Sequence, residues 1–588
     1  MFSTTRQALH TSASQSPEAK AQRGRNPWEA QYASPPYAQT PLEFLPLFGY
    51  SDAGERKLVP AAMIGGSHET QSAHYEVIVR KIAVVADLHL PEVDDSAQHA
   101  VLDWVVEALR REQPDLVLGA GDYTASGALP GARHVAQSLR GIGLPLLLTP
   151  GNSDLRSPAV SHQVRAIFTT PAIVETQDVF VVAVDSSEGI IPPIARRQVE
   201  KALDSAQARP VVLLTHYYVE ALQNESRAWL TELLQGGRIS LFVAGHGHRD
   251  RSYRLGRTDC HLVRGLDPDK AIGGPPAIPF FERDGHGEWH RREISWPYGN
   301  ADRWTDAERR EFLGYLGLSC IGDPVRGIEQ AAHAGVPCIE LRDNAVDASA
   351  RALKSALGTW RKAGGRYLSW HMPDLLWDAT VAHVTNRKRW QRSLELAIAL
   401  GAEGLTVHVP KVAVGQMSQG SDTWQRVAEA YAQALRPATE AGLCLGIENM
   451  HMNVGERDDG SRRFGYIPSE CATWVETMRE RLGNSVGFLL DIGHARNNAP
   501  FSKRISLGHW YAQMGKATVG YHIHQVAKEP DGRLRNHQPI TGMCGPLISF
   551  SSFLWAWKSG QIAHHPMFIE VRDLDGRAAS LRTVRSFV

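Results

Sequence analysis

Between Val486 and Ala495 the chain reads VGFLLDIGHA. Val486, Phe488, Leu489 and Leu490 show no helical period, so the run reads as a parallel strand buried on both faces. It closes on Asp491 and His494, where such a strand should run out. The pattern recurs through the C-terminal half: Tyr367-Leu-Ser-Trp runs into His371, Gly404-Leu-Thr-Val into His408, and Cys444-Leu-Gly-Ile into Glu448. Thr518-Val-Gly-Tyr runs into His522 and His524, and Met567-Phe-Ile into Glu570. Two further runs, Leu313 to Leu318 and Cys338 to Leu341, precede them, and helical stretches such as Arg387 to Leu400 and Trp424 to Ala441 lie between. Eight strand–helix pairs in ~275 residues have the size and order of a (β/α)8 barrel, whose ligands gather at the carboxyl ends of the strands. A lone histidine at a strand end is ordinarily a satisfied hydrogen-bonder. Six consecutive strands closing on imidazole or carboxylate are different, because such groups converging on one barrel mouth desolvate and repel one another unless a cation holds them.

The N-terminal half repeats the device in another order. Residues 1 to about 75 are rich in Ser, Ala, Pro and Gln without sustained period and read as a flexible arm. Its acid-free start resembles a transit peptide, but a tail is the preferred reading. A strand from Tyr75 to Ala86 closes on Asp87 and His89, and a helix follows from Ser96 to Arg111. Asp115–Leu118 runs into Asp122, Pro145–Thr149 into Asn152, Ser153 and Asp154, Val211–Thr215 into His216, and Leu241–Ala244 into His246 and His248. Strands alternating with helices, each closing on a ligand-type residue, predict an α/β sandwich with a site along one sheet edge. Asp284-Gly285 marks a hairpin, and the polar stretch 297–310 reads as a linker between residues 76–296 and a barrel over 311–588.

The order DxH, GD, GN, H, GHxH resembles the calcineurin-like metallophosphoesterases over roughly residues 79 to 293. The resemblance implies two metals, with Asp87, His89 and His248 on one, Asn152, His216 and His246 on the other, and Asp122 bridging. The implied chemistry is hydrolysis of phosphomonoesters or diesters, with Asp122, Asn152 and His216 at the reacting centre. One position departs from the pattern: the family has GNH[DE], whose His protonates the leaving oxygen, and this chain has Ser153. Either the leaving group is good, another histidine such as His134 or His162 serves, or turnover is slow.

The C-terminal half resembles the xylose-isomerase-like barrels, which include sugar isomerases, epimerases and the metal-dependent apurinic-site endonucleases. The matching residues are His371-Met-Pro, Thr406-Val-His408, Ile447-Glu448-Asn449, Asp491-Ile-Gly-His494, His522-x-His524 and Ile569-Glu570-Val571. The resemblance implies that Glu448, Asp491, a strand-seven histidine and Glu570 hold the main metal, with His524 favoured and His522 beside it. His371 and His408 would hold a second metal, as in the endonucleases. The third-ion Asp-x-His of that branch is replaced by Arg535-Asn-His537.

The expected protein is a fused, metal-dependent enzyme using Mn, Fe or Zn, two ions in the first domain and one or two in the barrel. It would join a phosphoesterase to an isomerase or epimerase of sugars, cyclitols or sugar phosphates, with Glu448 and Glu570 moving the proton. The rival reading makes both halves phosphoester hydrolases acting on nucleotides or nucleic acid. Another makes the first half a binding domain for a phosphorylated ligand. Lys and Arg number 63 against 63 Asp and Glu, so no bulk charge favours nucleic acid or membranes. No apolar run approaches the ~20 residues of a membrane span, and six scattered cysteines suit a cytoplasmic protein of small-molecule substrates.

Placing histidine at Ser153 is expected to raise turnover of alkyl phosphoesters by about 10²-fold, because it supplies the missing acid. Steady-state rates on alkyl and p-nitrophenyl esters check this, since the p-nitrophenyl oxygen leaves without a proton and should gain little.

Overall fold

A computed structural model describes residues 72–169, 172–299, 303–378, 383–453 and 455–588, all within one compact unit spanning Val59–Val588. The arm expected over residues 1 to 75 lies almost wholly outside the described residues.

The first half is a sandwich of two sheets. One orders Trp289–Ser295, Ala277–Arg283, Lys81–Val85, Leu116–Gly119 and Leu146–Leu148. The other orders Ser72–His74, Ile173–Glu175, Phe180–Val184, Val211–Thr215, Ile239–Ala244, Thr258–Leu262 and Arg251–Leu255. Side chains alternate across each strand, so one strand feeds two cores. Ile82 and Val84 meet Val212, Leu214, Leu241 and Val243 between the sheets. Ala83 and Val85 face outward onto the helices Ala97–Glu112 and Leu129–Arg140, while Val211 and Leu213 face Pro193–Ala206 and Asn224–Gln235. Burial on both faces explains the unbroken apolar runs of the sequence.

Of the strand expected over Tyr75–Ala86 only Lys81–Val85 forms, in one sheet, while Ser72–His74, before its expected start, pairs with Ile173–Glu175 in the other. Side-chain carboxylates cap the crossing: Asp178 accepts from the Val79 amide, and Asp115 accepts from the Arg80 and Lys81 amides. Those bonds take amides that a ladder would have used, and leave Ile78 48% exposed. The Asp284 turn forms the antiparallel hairpin read from the sequence.

The second half is a closed barrel of eight parallel strands: Leu316–Ser319, Cys338–Arg342, Tyr367–His371, Gly404–His408, Cys444–Glu448, Val486–Asp491, Thr518–Ile523 and Met567–Ile569. The eighth pairs with both the seventh and the first. The first strand begins later than the expected Leu313, because Asp306–Gly314 is a helix that runs into it. Thr305 and Glu308 form a capping box at its start, within the stretch expected to be linker. Two hairpins, Leu376–Asp378 with His383–Thr385 and Gln525–Lys528 with Leu534–Gln538, follow the third and seventh strands.

The halves pack through a polar knot. Buried Asp269, from the sandwich, accepts from Gln98 Nε2 at 2.9 Å, from the barrel's Gly508 amide at 3.0 Å, and from Ser552 Oγ. Trp555 packs against the cores of both halves. Among the described residues no helix is long and apolar enough to cross a membrane.

Burial, then the charge of Asp267, pushes the Asp269 carboxyl up to about 6 against the bonds that favour its charged form. A raised carboxyl binds protons in the fold that the unfolded chain has released. Stability therefore falls as pH rises from about 4 to 6 and is flat above. Asp269→Asn should make thermal midpoints less steep over that window, and an unchanged slope would contradict the assignment.

Candidate metal centres

The site residues of the first half sit on the turns after five strands drawn from both sheets. Asp87 and His89 follow Lys81–Val85, Asp122 follows Leu116–Gly119, and Asn152 follows Leu146–Leu148. His216 follows Val211–Thr215, and His246 and His248 follow Ile239–Ala244. The backbone is bent hard to bring them together: Asp87, His89, Asp122, His246 and His248 all have φ between 49° and 70°. That left-handed region is unfavourable for residues with a Cβ, and five such residues at one site is strain stored where side chains converge. Gly151 is small for a local reason, since a Cβ there would lie 2.2 Å from Asp122 Oδ1.

Two groups of donor atoms result, Asp87 with His89 and His248, and Asp122 with His216 and His246, each within 4.8 Å. Asp122 faces both: its Oδ2 lies 3.5 Å from His89 Nε2 and its Oδ1 lies 3.5 Å from His216 Nε2. Asn152 Oδ1 is 3.2 Å from the same His216 nitrogen. His216 Nδ1 donates to the Ala120 carbonyl at 2.7 Å, which leaves Nε2 as the ring nitrogen that faces Asp122 and Asn152. Burial and neighbouring cations hold His89 and His248 well below the ordinary imidazole range, and burial with His216 pushes His246 down to about 4. Burial, then the Asp122 charge, pushes Asp87 up. Three imidazoles held neutral, beside oxygens of Asp87, Asp122 and Asn152 that a cation's charge would favour as ligands, fit two cations.

The acid that the sequence could not locate is still missing. Ser153 is fully buried, and its amide donates to Asp122 Oδ1 at 2.7 Å. His134 packs near His99, and His162 lies exposed on the helix Ser161–Phe168.

In the barrel, three groups of donors overlap. His371, His408 and Glu448 form one, Glu448, Asp491, His522 and Glu570 a second, and Asp491, His524, His537 and Glu570 a third. Two residues carry no assignment from the sequence: His537, a member of the third group, and Glu340, which belongs to none of the three but holds one of their histidines. Glu340, in the second strand, accepts from Ser319 Oγ at 2.9 Å and Thr406 Oγ1 at 2.6 Å, and takes His522 Nε2 at 3.0 Å. With Nε2 held by Glu340, Nδ1 is the nitrogen left to face the other carboxylates, 3.0 Å from Glu570 Oε2 and 3.2 Å from Glu448 Oε1. Burial works against charge on this ring, but Glu340, Glu570 and Glu448 outweigh it and raise His522 well above the ordinary imidazole range. A glutamate inside the apolar run CIELR was the available signal. His537, at φ 59° in the hairpin, gave none beyond its type.

His522 thus joins Glu448, Asp491 and Glu570, and His524, the histidine favoured from the sequence, joins the third group, with Nε2 3.1 Å from Asp491 Oδ1. Gly493 leaves room for that ring, as a Cβ would come within 1.8 Å of it. His494 belongs to none of the three groups, but its Nδ1 is 3.3 Å from Glu448 Oε1 and 3.4 Å from Asp491 Oδ2. Burial works to raise Glu448 and Glu570, but the charge of His522, with His408 or His537, outweighs it and holds both well below the usual range. Burial likewise works against charge on His408, yet Glu448 and Asp374 lift it to about 9, and Asp491 and Glu448 lift His494 to about 9. The donor set fits cations here too.

An α/β sandwich with a two-sided carboxylate and a barrel with donors at its strand ends define two classes of enzyme fold joined in one chain. Residues 80–250 match the calcineurin-like phosphoesterases, and residues 328–586 match the xylose isomerase-like TIM barrels, so the chain carries one domain of each family. No curated protein matches the chain significantly. Among solved structures, a dimetal phosphatase from Danio rerio is 12% identical, with 37% of this chain and 99% of that one covered at a TM-score of 0.29. A D-tagatose 3-epimerase-like protein is 19% identical, with 46% and 96% covered at 0.35. A putative xylose isomerase from Rhodospirillum rubrum is 15% identical, with 46% and 98% covered at 0.38.

Because ligation needs a free lone pair, metal uptake by the barrel at pH 7.5 should displace protons from His408 and His522, both members of donor groups and both raised by neighbouring carboxylates. Calorimetric titration with Mn²⁺ in two buffers of different ionisation enthalpy measures that release. His408→Gln should lower it by about one proton per chain.

Proposed function

We propose that the chain is a bifunctional metal-dependent enzyme, a phosphoesterase joined to an isomerase or epimerase of sugars, cyclitols or sugar phosphates. The observation that supports it is that each half encloses its own buried, inward-facing metal-type donor atoms, with different groups beside them. Mn²⁺, Fe²⁺ or Zn²⁺ held by Asp87, His89, Asp122, Asn152, His216, His246 and His248, and by Glu448, Asp491, His522 and Glu570, would polarise phosphoryl or carbonyl oxygens and acidify water. Asp122 then fixes the spacing of the first site, since each of its oxygens serves one group. In the barrel, Glu570 Oε1 is tied to Arg342 at 2.5 Å, and Glu448 Oε2 lies 3.2 Å from both His371 and His408. Each glutamate keeps its other oxygen beside His522. One of the pair takes a proton from a substrate carbon next to a carbonyl, and the other returns it to a neighbouring atom or the opposite face.

One observation favours a second reading, in which the barrel too hydrolyses phosphoesters. Glu448 is shared by two donor groups, and Asp491 and Glu570 by two, which suits more than one cation, whereas proton transfer between carbons needs only one.

Candidate sugars and sugar phosphates incubated with the protein in D₂O decide between them. Solvent deuterium should enter a carbon position, and Glu448→Gln or Glu570→Gln should lower that exchange about 10²-fold or more while keeping much of the metal. Asp122→Asn should abolish phosphoester turnover and leave the exchange intact. Phosphate release by Asp122→Asn with no carbon exchange would establish the hydrolytic barrel instead.

A further inference from the structure

The phosphoesterase site has a cation that neither donor group uses. Arg156 lies four residues beyond Asn152, near Asp122 and Asp154, whose charges act on it. Its Nη1 donates to two carbonyls, Ala125 O of the sandwich at 2.5 Å and Lys503 O of the barrel. Among the described residues, its Nε and Nη2 have no hydrogen-bond partner. One nitrogen thus tethers the guanidinium across the domain boundary, and the rest of the fork is left to bind an anion.

The barrel segment that supplies the tether is itself held. Phe501–Lys503 is a short 3-10 turn, and the Ser502 amide donates to Asn498 O at 2.8 Å. Asn498 is buried, donates to Tyr466 O and accepts from the Met452 amide at 3.1 Å. The Arg462 guanidinium lies 4.8 Å above the Phe501 ring. The next residue, Arg504, is exposed and near enough to Arg156 for their charges to oppose each other. Two guanidiniums brought together at a metal-type site repel unless an anion lies between them.

The site therefore offers extra positive charge and, with Ser153, no acid at the position where one is expected. Alkoxide leaving groups need a proton, and lose the 10²–10⁴-fold that a positioned acid is typically worth. A phosphate leaving group needs no proton but departs with negative charge, which two arginines stabilise.

We propose that the substrate of the first domain is a phosphoanhydride, a diphosphate-linked sugar or nucleoside, whose departing phosphate is bound by Arg156 and by Arg504 of the barrel. This rests on the phosphoesterase reading above and names its substrate class. Water oxygen bonds to one phosphorus, the P–O bond of the anhydride bridge breaks, and its electron pair stays on the departing phosphate. One water is consumed, two phosphomonoesters form, and the two protons of the water pass to solvent as the products ionise. The site is then incomplete without the barrel, because Lys503 and Arg504 belong to it.

The test uses the full chain loaded with Mn²⁺ and three probes: UDP-glucose as anhydride, glycerophosphocholine as alkyl diester, and bis(p-nitrophenyl) phosphate as activated diester. The anhydride should be cleaved with a kcat/KM about 10²-fold above that of the alkyl diester, the order of the missing acid. Arg156→Ala should lower anhydride turnover about 10²-fold and activated-diester turnover about 10-fold or less, with Arg156→Lys recovering part of the loss. Arg504→Ala should raise KM for the anhydride more than for the activated diester. Arg156→Lys keeps the charge and a donor, so it also separates a lost anion contact from a lost fold. Cleavage of the activated diester with none of the anhydride, or equal losses on all probes in Arg156→Ala and Arg156→Lys, would overturn the substrate class alone. No turnover of any probe would overturn the phosphoesterase reading and this proposal together.

Discussion

Asp122 is the residue on which the first half depends, because its two oxygens face different imidazoles at the same distance, 3.5 Å. A carboxylate can serve two donor groups only if the strands bearing them are held at fixed spacing. The sandwich provides this: the turn carrying Asp122 lies between those carrying Asp87 and Asn152 in one sheet, and His216 and His246 come from the other. Left-handed backbone at five of these residues would destabilise the fold by roughly 1–3 kcal/mol each if nothing opposed it. The opposing contribution is the apolar packing beneath, where every site-bearing strand is buried on both faces.

The barrel solves the same problem with hydrogen bonds in place of strain. Glu340 holds one nitrogen of His522 and so decides which nitrogen is left to face the other carboxylates. Ser319 and Thr406, on the strands either side of Glu340 and its neighbour, hold Glu340 in turn. The arrangement is a chain of orientation that begins in the wall and ends among Glu448, Asp491 and Glu570. Gly493 shows the same economy by steric means, since its missing Cβ is the space the His524 ring occupies.

Much of this was legible in the sequence, for a physical reason. A strand buried on both faces must be apolar throughout, so a polar residue at its end stands out, and Asp87, His216, His371 and Glu570 were all visible that way. What was hidden follows from the same logic. Glu340 sits inside its strand, so it read as part of the run CIELR. The first barrel strand is expected three residues early because the helix before it, Asp306–Gly314, divides between the expected linker over 297–310 and the start of the expected strand at Leu313, despite its Thr305–Glu308 box. The crossing at Tyr75–Arg80 read as strand because its alternation is real, while the carboxylates that interrupt it, Asp115 and Asp178, lie far along the chain. Arg156 and Lys503 are 347 residues apart, and no local pattern announces such a contact.

The domain boundary itself is where the two sites come under one constraint. The short helix Ile492–Arg496 carries His494 at its middle, beside Glu448 and Asp491. At its C-terminal end half-buried Arg496 is close enough for Asp267 and Asp269 to act on its charge, and it donates to Leu547 O at 2.8 Å. Asp267 in turn donates its amide to the carbonyl of Asp87 at 2.8 Å, and its carboxylate lies 3.2 Å from Lys270. Buried charges of this kind add little net stability, because desolvation offsets their attraction. Their effect is on orientation: any shift of one domain against the other would strand Arg496, Asp267 or Asp269 without a partner, which costs several kcal/mol. The apolar contact through Trp555 would tolerate sliding, and the charges would not. The interface therefore holds the segment bearing Lys503 and Arg504 in one position over the phosphoesterase site, and it does so with residues that lie one short helix away from the barrel's own donors.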